Sequence, residues 1–273
     1  MFGVERRKSR LNSSLAILEL IYHSTVRAIR RNHKNALVGL LTNILQTVIF
    51  IGAFIVTFNL LGMRGSAIRG DFTVYIMTGI FTFMCNIKTS GAVIGSEGPT
   101  SGMMLHAPMN TAIAIGSAAL AALYTQVLSI VVILGVYHMA YAPVQIEDPV
   151  GALGMLILSW LYGIGIGMVV LAIKPWWPAF ARVAQQIYTR VNMFASGKMF
   201  VGNTLSFSLL AMFDWNPLFH IIDQMRGFVF INYNPHNSSL TYPVYFTLAL
   251  IAVGLMGEFK TRKHASASWN AAR

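Results

Sequence analysis

The chain has 273 residues, 55% of them hydrophobic and only 11% charged, with a formal net charge of +11 and a mean hydropathy of +0.60. An ordinary soluble domain carries about 25% charged residues, so this composition excludes a soluble globular surface and calls for lipid around much of the chain. The positive charge sits beside apolar stretches, which makes anionic lipid headgroups, and not nucleic acid, the fitting partner.

The segment Met1 to Arg10 is basic and polar and lacks the apolar core and small-residue cleavage site of a signal peptide, so no cleavage is expected. Residues 14–34 follow, with Leu15, Leu18, Ile21, Tyr22, Val26 and Ile29 at helical spacing. This predicts an amphipathic helix lying in the cytoplasmic interface. Its basic face, Arg27, Arg30, Arg31 and Lys34, has two readings. It anchors to anionic headgroups, or it recognises a phosphate on a lipid-linked substrate.

A spanning helix needs about 20 mostly apolar residues. Six such spans are predicted, at 37–59, 72–93, 112–136, 150–173, 193–213 and 243–259. Backbone polar groups in lipid must be satisfied within the segment, so these are helices, and the alternation of a membrane barrel is missing. The predicted fold is therefore an all-α integral membrane protein of one domain. Residues 1–36 form the cytoplasmic basic segment and interface helix, 37–259 the six-span bundle, and 260–273 a cytoplasmic tail.

In the first span Phe50, Phe54 and Phe58 form a stripe at four-residue spacing, which suits either sugar rings along a path or plain packing and lipid contact. The second span carries Lys88 and the lone cysteine, Cys85, which rules out an intrachain disulfide. The loop 95–110 contains Pro99, which fits a first helical turn, and Pro108, which stops it. Trp176 and Trp177 after the fourth span fit an interfacial aromatic belt. Lys88 and the fifth span's Lys198 are both expected near inner ends, where they snorkel to the interface or line a substrate entrance. Residues 214–242 then break the apolar run at Asp214-Trp215-Asn216-Pro217. The helical stretch Leu218 to Ile231 is too short to span, which predicts a re-entrant or interfacial outer element, a candidate gate.

Orientation follows from Lys and Arg. Arg6, Arg7, Lys8, Arg10, Arg27, Arg30, Arg31 and Lys34, then Lys174, Arg182 and Arg190, then Lys260, Arg262, Lys263 and Arg273 fall on one side. Arg64, Arg69 and Arg226 fall on the other. Both termini are therefore expected in the cytoplasm.

The chain has no phosphate-cradling P-loop, no zinc-protease helix motif, no nucleophile elbow and no dinucleotide fingerprint. His220, Asp223 and Arg226, three residues apart, read as a proton or metal site, or as a polar face with an Asp–Arg pair. No catalytic residue, metal or cofactor is assigned to the chain.

The layout resembles the permease subunits of type-2 ABC transporters that export capsular or other cell-surface polysaccharides. The order of parts carries this over nearly the whole chain, together with two short strings. Tyr75-Ile76-Met77-Thr78-Gly79 is similar to the family's apolar-Met-Thr-Gly run. Trp215-Asn216-Pro217-Leu218-Phe219-His220, with Asp223, Met225 and Arg226, is similar to its Asn-Pro/His/Arg stretch. Where the family commonly has a Gly-x-x-Trp entry to the first span, this chain reads Ala36-Leu37-Val38-Gly39-Leu40-Leu41.

The resemblance implies a homodimeric path in a bacterial inner membrane, with two copies of a separate ATPase subunit that bind ATP and Mg. It implies a coupling loop at Glu97, Pro99, Thr100 and His106, and a path along Phe50, Phe54, Phe58, Lys88 and Lys198. It further implies an outer gate at Trp215, Asn216, Pro217, His220, Asp223 and Arg226, and a lipid-linked polysaccharide as cargo. The same topology would serve a permease for a small lipid or drug. A membrane enzyme acting on lipid-linked sugars would need convergent acid and base groups.

Overall fold

The computed structural model describes residues 10–31, 36–60, 62, 68–96 and 110–264, and among these there is no β-strand. The helices in chain order are α1 (Arg10–Arg31), α2 (Ala36–Leu60), α3 (Phe72–Ile94), α4 (Thr111–Ala140) and α5 (Pro149–Ile173). They continue as α6 (Pro178–Ala195), a 3-10 turn (Gly202–Thr204), α7 (Phe207–Phe213), α8 (Pro217–Val229) and α9 (Thr241–His264).

Four helices are long and apolar enough to cross a membrane: Leu37–Leu60, Thr111–Ala140, Pro149–Ile173 and Thr241–Lys263. This is a multi-pass membrane protein. α3 is equally long but is interrupted by Thr78, Thr82, Asn86, Lys88, Thr89 and Ser90. It can carry them because it is the interior helix, packed against α2, α4, α5, α6 and α8. Polar residues on an intramembrane helix face protein or water and not lipid.

The fifth predicted span, 193–213, is not one helix. α6 ends at Ala195, and residues 196–206 run through turns and one 3-10 turn before the seven-residue α7. Gly197 takes φ of +75°, outside the range of ordinary residues, and a Cβ there would meet the Phe219 ring at 2.6 Å. The loop predicted between spans four and five is in fact mostly the 18-residue α6.

Helix starts follow the local chemistry. Asp71, Asn110, Asp148 and Asn216 each accept a backbone N–H of the first turn from the N-cap position, and Pro149 and Pro217 sit where a missing N–H costs nothing. α5 is wedged between α3 and α9 by small residues. A Cβ at Gly163 would lie 2.6 Å from the Asn86 carbonyl, one at Gly167 would lie 2.6 Å from Val93 Cβ, and one at Gly254 of α9 would lie 2.6 Å from Met168 Cβ. Such small-residue contacts let helix backbones approach closely where lipid supplies no hydrophobic drive.

Hydrogen bonds then tie the core. Ser159 Oγ donates to Thr82 O at 2.8 Å, Asn86 Nδ2 to Ser159 O at 3.1 Å, and Tyr188 Oη to Asn86 Oδ1 at 2.7 Å, a chain that crosses α5, α3 and α6.

Candidate functional site

Two polar centres are built into this apolar bundle. The first is the hub that holds the break after α6. α8 brings Arg226, fully buried, against residues 197–200. Its guanidinium donates to the carbonyls of Gly197 at 2.9 Å, Phe200 at 2.6 Å and Lys198 at 2.8 Å, and it lies 4.2 Å from the centre of the Tyr75 ring. Carbonyls freed from a helix in an apolar interior need donors, and the planar guanidinium fork supplies several from one side chain.

One turn earlier, Asp223 accepts from Gly202 N at 3.1 Å, Tyr233 Oη at 2.5 Å and Ser238 Oγ at 2.7 Å. Burial, with the Asp223 carboxylate alongside, raises the Tyr233 phenol above its ordinary pKa, so it stays a neutral donor. His220 bonds Asp214 O through Nε2 at 2.7 Å, and its Nδ1 accepts from Ser239 N at 3.0 Å. Asn216 caps α8 and donates to Asn192 Oδ1 at 3.0 Å and Ala195 O at 2.8 Å, which closes the end of α6. Trp215, 58% exposed, donates through Nε1 to Met212 O at 2.7 Å.

Asp223 and Arg226 do not form the predicted i,i+3 pair. Each faces a different stretch of the chain, so the three residues His220, Asp223 and Arg226 are spent on backbone positioning. Among the described residues there is no cluster of three or more metal-ligating side chains.

Lys198 is the second departure from expectation. It is not at an inner end but beside Gly79, Phe50, Phe54 and Phe83, level with the middle of α2 and α3, and it is 2% exposed. It therefore cannot snorkel. Its Nζ lies 3.6 Å from the centre of the Phe83 ring, 5.4 Å from that of Phe50 and 5.5 Å from that of Phe54, with no hydrogen-bond partner among the described residues. Contacts with three ring faces stabilise a desolvated cation by about 2 kcal/mol or more in total. The structure thus joins Phe50, Phe54 and Lys198, and adds Phe83, which the sequence reading missed. Phe58 stands apart, buried edge-on to Phe72 at 5.5 Å.

The second polar centre is a cleft of about 680 Å³ bounded by α1, α2, α3 and α4. Lys88 lines it, with its Nζ bonded to Asn43 Oδ1 and, at 3.2 Å, to Gln46 Oε1. Arg27 lines it from α1. Arg30 and Arg31 close α1, but their side chains, and Lys34, lie outside the described residues, as do Glu97, Pro99, Thr100 and His106 of the predicted coupling loop.

The sequence reading also missed the outer face of α6. Arg182, Gln186 and Arg190 are exposed at four-residue spacing, a ladder on one side of the helix. Tyr188 meets Asn86 and Gln185 meets Ser90, so Arg190 lies level with the middle third of α3. The four-residue spacing was the available signal, hidden because charges between apolar spans read as a loop.

No family model matches the chain. Two curated relatives do, both polysialic acid transport proteins KpsM of Escherichia coli, at 24% and 23% identity over 199 residues, covering 71% of this chain and 75% of each relative. These matches support the family resemblance read from the sequence, that to the type-2 ABC transporter permeases of capsular-polysaccharide export.

Proposed function

We propose that this chain is the membrane-spanning permease subunit of an ATP-driven exporter that moves a lipid-linked, anionic cell-surface polysaccharide out of the cytoplasm. The observation that carries this reading is the similarity to polysialic acid transport proteins across most of the chain. Polysialic acid is a polyanion, and the cationic residues at depth in this bundle suit such a cargo.

In this reading α2, α3, α4, α5, the pair α6 and α7, and α9 make six crossings of the bacterial inner membrane, with both termini in the cytoplasm. α8 is the outer re-entrant element and the hub around Arg226 shapes the exit. Two copies of the chain form one path. The ladder Arg182, Gln186 and Arg190 supports this, because an exposed charge at membrane depth must face protein or water and not lipid. Two ATPase subunits dock at the cytoplasmic side against the loop containing Glu97, Pro99, Thr100 and His106, and supply the ATP and Mg chemistry. The aromatic side chains of Phe50, Phe54 and Phe58 and the amines of Lys88 and Lys198 belong to the path.

The test is affinity purification of the tagged chain in mild detergent from its native host, paired with measurement of surface polysaccharide in cells lacking it. Recovery of a P-loop ATPase in nearly equal amount, and polymer retained inside the mutant cells, is the expected result. Recovery of the chain alone, with normal surface polysaccharide in the mutant, would sink the proposal. Co-recovered ATPase with normal polysaccharide would redirect it to a small lipid or drug.

A further inference from the structure

The cleft between α1, α2, α3 and α4 has a composition that points to a ligand of its own. Among the described residues that line it, the charged ones are Arg27 and Lys88 and none is a carboxylate. Two cations that share a partly desolvated cleft create a strong local attraction for an anion. The hydrogen bonds support the same reading. An ammonium has three donors, and Asn43 and Gln46 take two of those on Lys88. Asn43 is itself held in place, its Nδ2 donating to Ser129 Oγ at 2.6 Å and to Thr125 O at 3.4 Å. The amine is thus aimed by a fixed partner and keeps one donor for a ligand oxygen.

The rest of the lining is of two kinds. Ser24, Ser96, Ser117 and Thr125 add polar oxygens, those of Ser96, Ser117 and Thr125 already donating to the carbonyls of Val93, Ala114 and Ala121, while Gly91, Ala118 and others leave an open, smooth apolar wall. A Cβ added at Gly91 would meet nothing within 4 Å.

We infer that this cleft binds the phosphate-bearing headgroup of an anionic amphiphile, with the phosphate between Lys88 and Arg27 and the apolar part along the Gly and Ala wall. Charge-assisted bonds from Lys88 and from Arg27 are what phosphate oxygens take. The amphiphile has two sources, a phospholipid of the bilayer or the lipid anchor of the cargo. The second source rests on the transport proposal above. The binding itself does not.

The test uses the full-length chain in nanodiscs, with native mass spectrometry to count retained lipid. The probes are phosphatidylglycerol, phosphatidylcholine and, as a soluble competitor, glycerol phosphate. Wild type is expected to retain phosphatidylglycerol over phosphatidylcholine, and Lys88→Gln to lower that retention about tenfold, the size expected for one charge-assisted hydrogen bond. Gly91→Leu, which fills the cleft but leaves Lys88 in place, lowers it as well. Arg262→Gln, an exposed charge outside the cleft, does not.

Displacement by glycerol phosphate shows that the headgroup alone is recognised. Failure of that displacement, with Lys88 and Gly91 dependence intact, shows that the amphiphile is the ligand. Equal losses in Lys88→Gln and Arg262→Gln, or full retention in both Lys88→Gln and Gly91→Leu, overturn the site. Export is measured on the same variants in cells. A cleft that binds lipid in a chain that exports nothing leaves the site standing and removes the transport proposal, and an exporting chain with no binding does the reverse.

Discussion

Arg226 and Lys198 meet within one polar knot, yet they are opposites in energy. Arg226 satisfies three carbonyls that would otherwise stand unbonded in an apolar interior. Removing one partner of a buried charged network costs roughly 3 to 5 kcal/mol. Arg226→Ala should therefore lower sharply the temperature at which the purified protein loses its monodisperse gel-filtration peak. Arg226→Lys should recover only part of it, because a single ammonium cannot reach three carbonyls in a plane. An Arg226→Ala protein as stable as wild type would mean that the break is held by something else. Lys198 has rings for neighbours and no acceptor. Burying an amine without an acceptor costs stability that the three ring contacts only offset, so Lys198→Met should be neutral or stabilising in the same melting assay. If the amine serves the cargo, export falls while stability does not.

At the scale of elements, α6 and α5 carry the sharpest consequences. Arg190→Ala and Arg182→Ala should reduce export without changing assembly, and the double variant should be worse than either, as read from surface polysaccharide per cell at equal protein level. Lone Cys85 is fully buried, which leaves a quiet background for labelling. Gln186→Cys should react with a water-borne maleimide, while Leu248→Cys, 59% exposed on α9, should not. Absence of reaction at both positions would place the α6 face against lipid. On α5, Gly163→Val must push a methyl group into the Asn86 carbonyl. Overpacking of that kind costs about 1 to 3 kcal/mol, visible as a lower melting temperature.

The same elements show what the sequence could say. α2, α3, α5 and the start of α4 lie within a residue or two of the predicted spans, because long apolar runs bounded by Asp71, Asn110 and Asp148 leave little choice. The N-terminal amphipathic helix was also expected, a few residues later than it begins. The fifth span was misplaced for a definite reason. Residues 193–213 are apolar enough on average, but Ser196, Gly197 and Lys198 interrupt them, and the partner that makes the interruption tolerable lies 29 residues beyond Gly197. A hydropathy reading sees the run and not the distant guanidinium. The polar string from Asn216 to Arg226 was legible as a special site, but its role as a scaffold for another segment was not, since Gly202, Tyr233 and Ser238 are joined to Asp223 only in space.

For the whole molecule, the bundle arranges its polar groups by level. The cleft with Lys88 and Arg27 sits at the end where α1 joins, the Lys198 cage lies at mid-depth beside α2 and α3, and the Arg226 hub holds the short helices toward the far end. α5, pressed between α3 and α9 by small residues, forms a stiff spine. The looser surface belongs to α6, whose charged face none of the described residues covers. A bundle so divided suits a pair of rigid halves that meet across a wet seam, which is the arrangement proposed for transport.

The break at 196–206 also has a history in time. The chain is made N-terminus first, so Gly197, Lys198 and Phe200 leave the ribosome well before the side chain that binds their carbonyls. Until Arg226 follows, the end of α6 has no settled place, and the carboxy-terminal third must assemble as one late event after the first four long helices are in. A nascent chain stopped just before α8 should therefore be handled by the cell as unfinished and cleared by membrane proteases, whereas one stopped after Ser239 already holds every partner its interrupted helix needs.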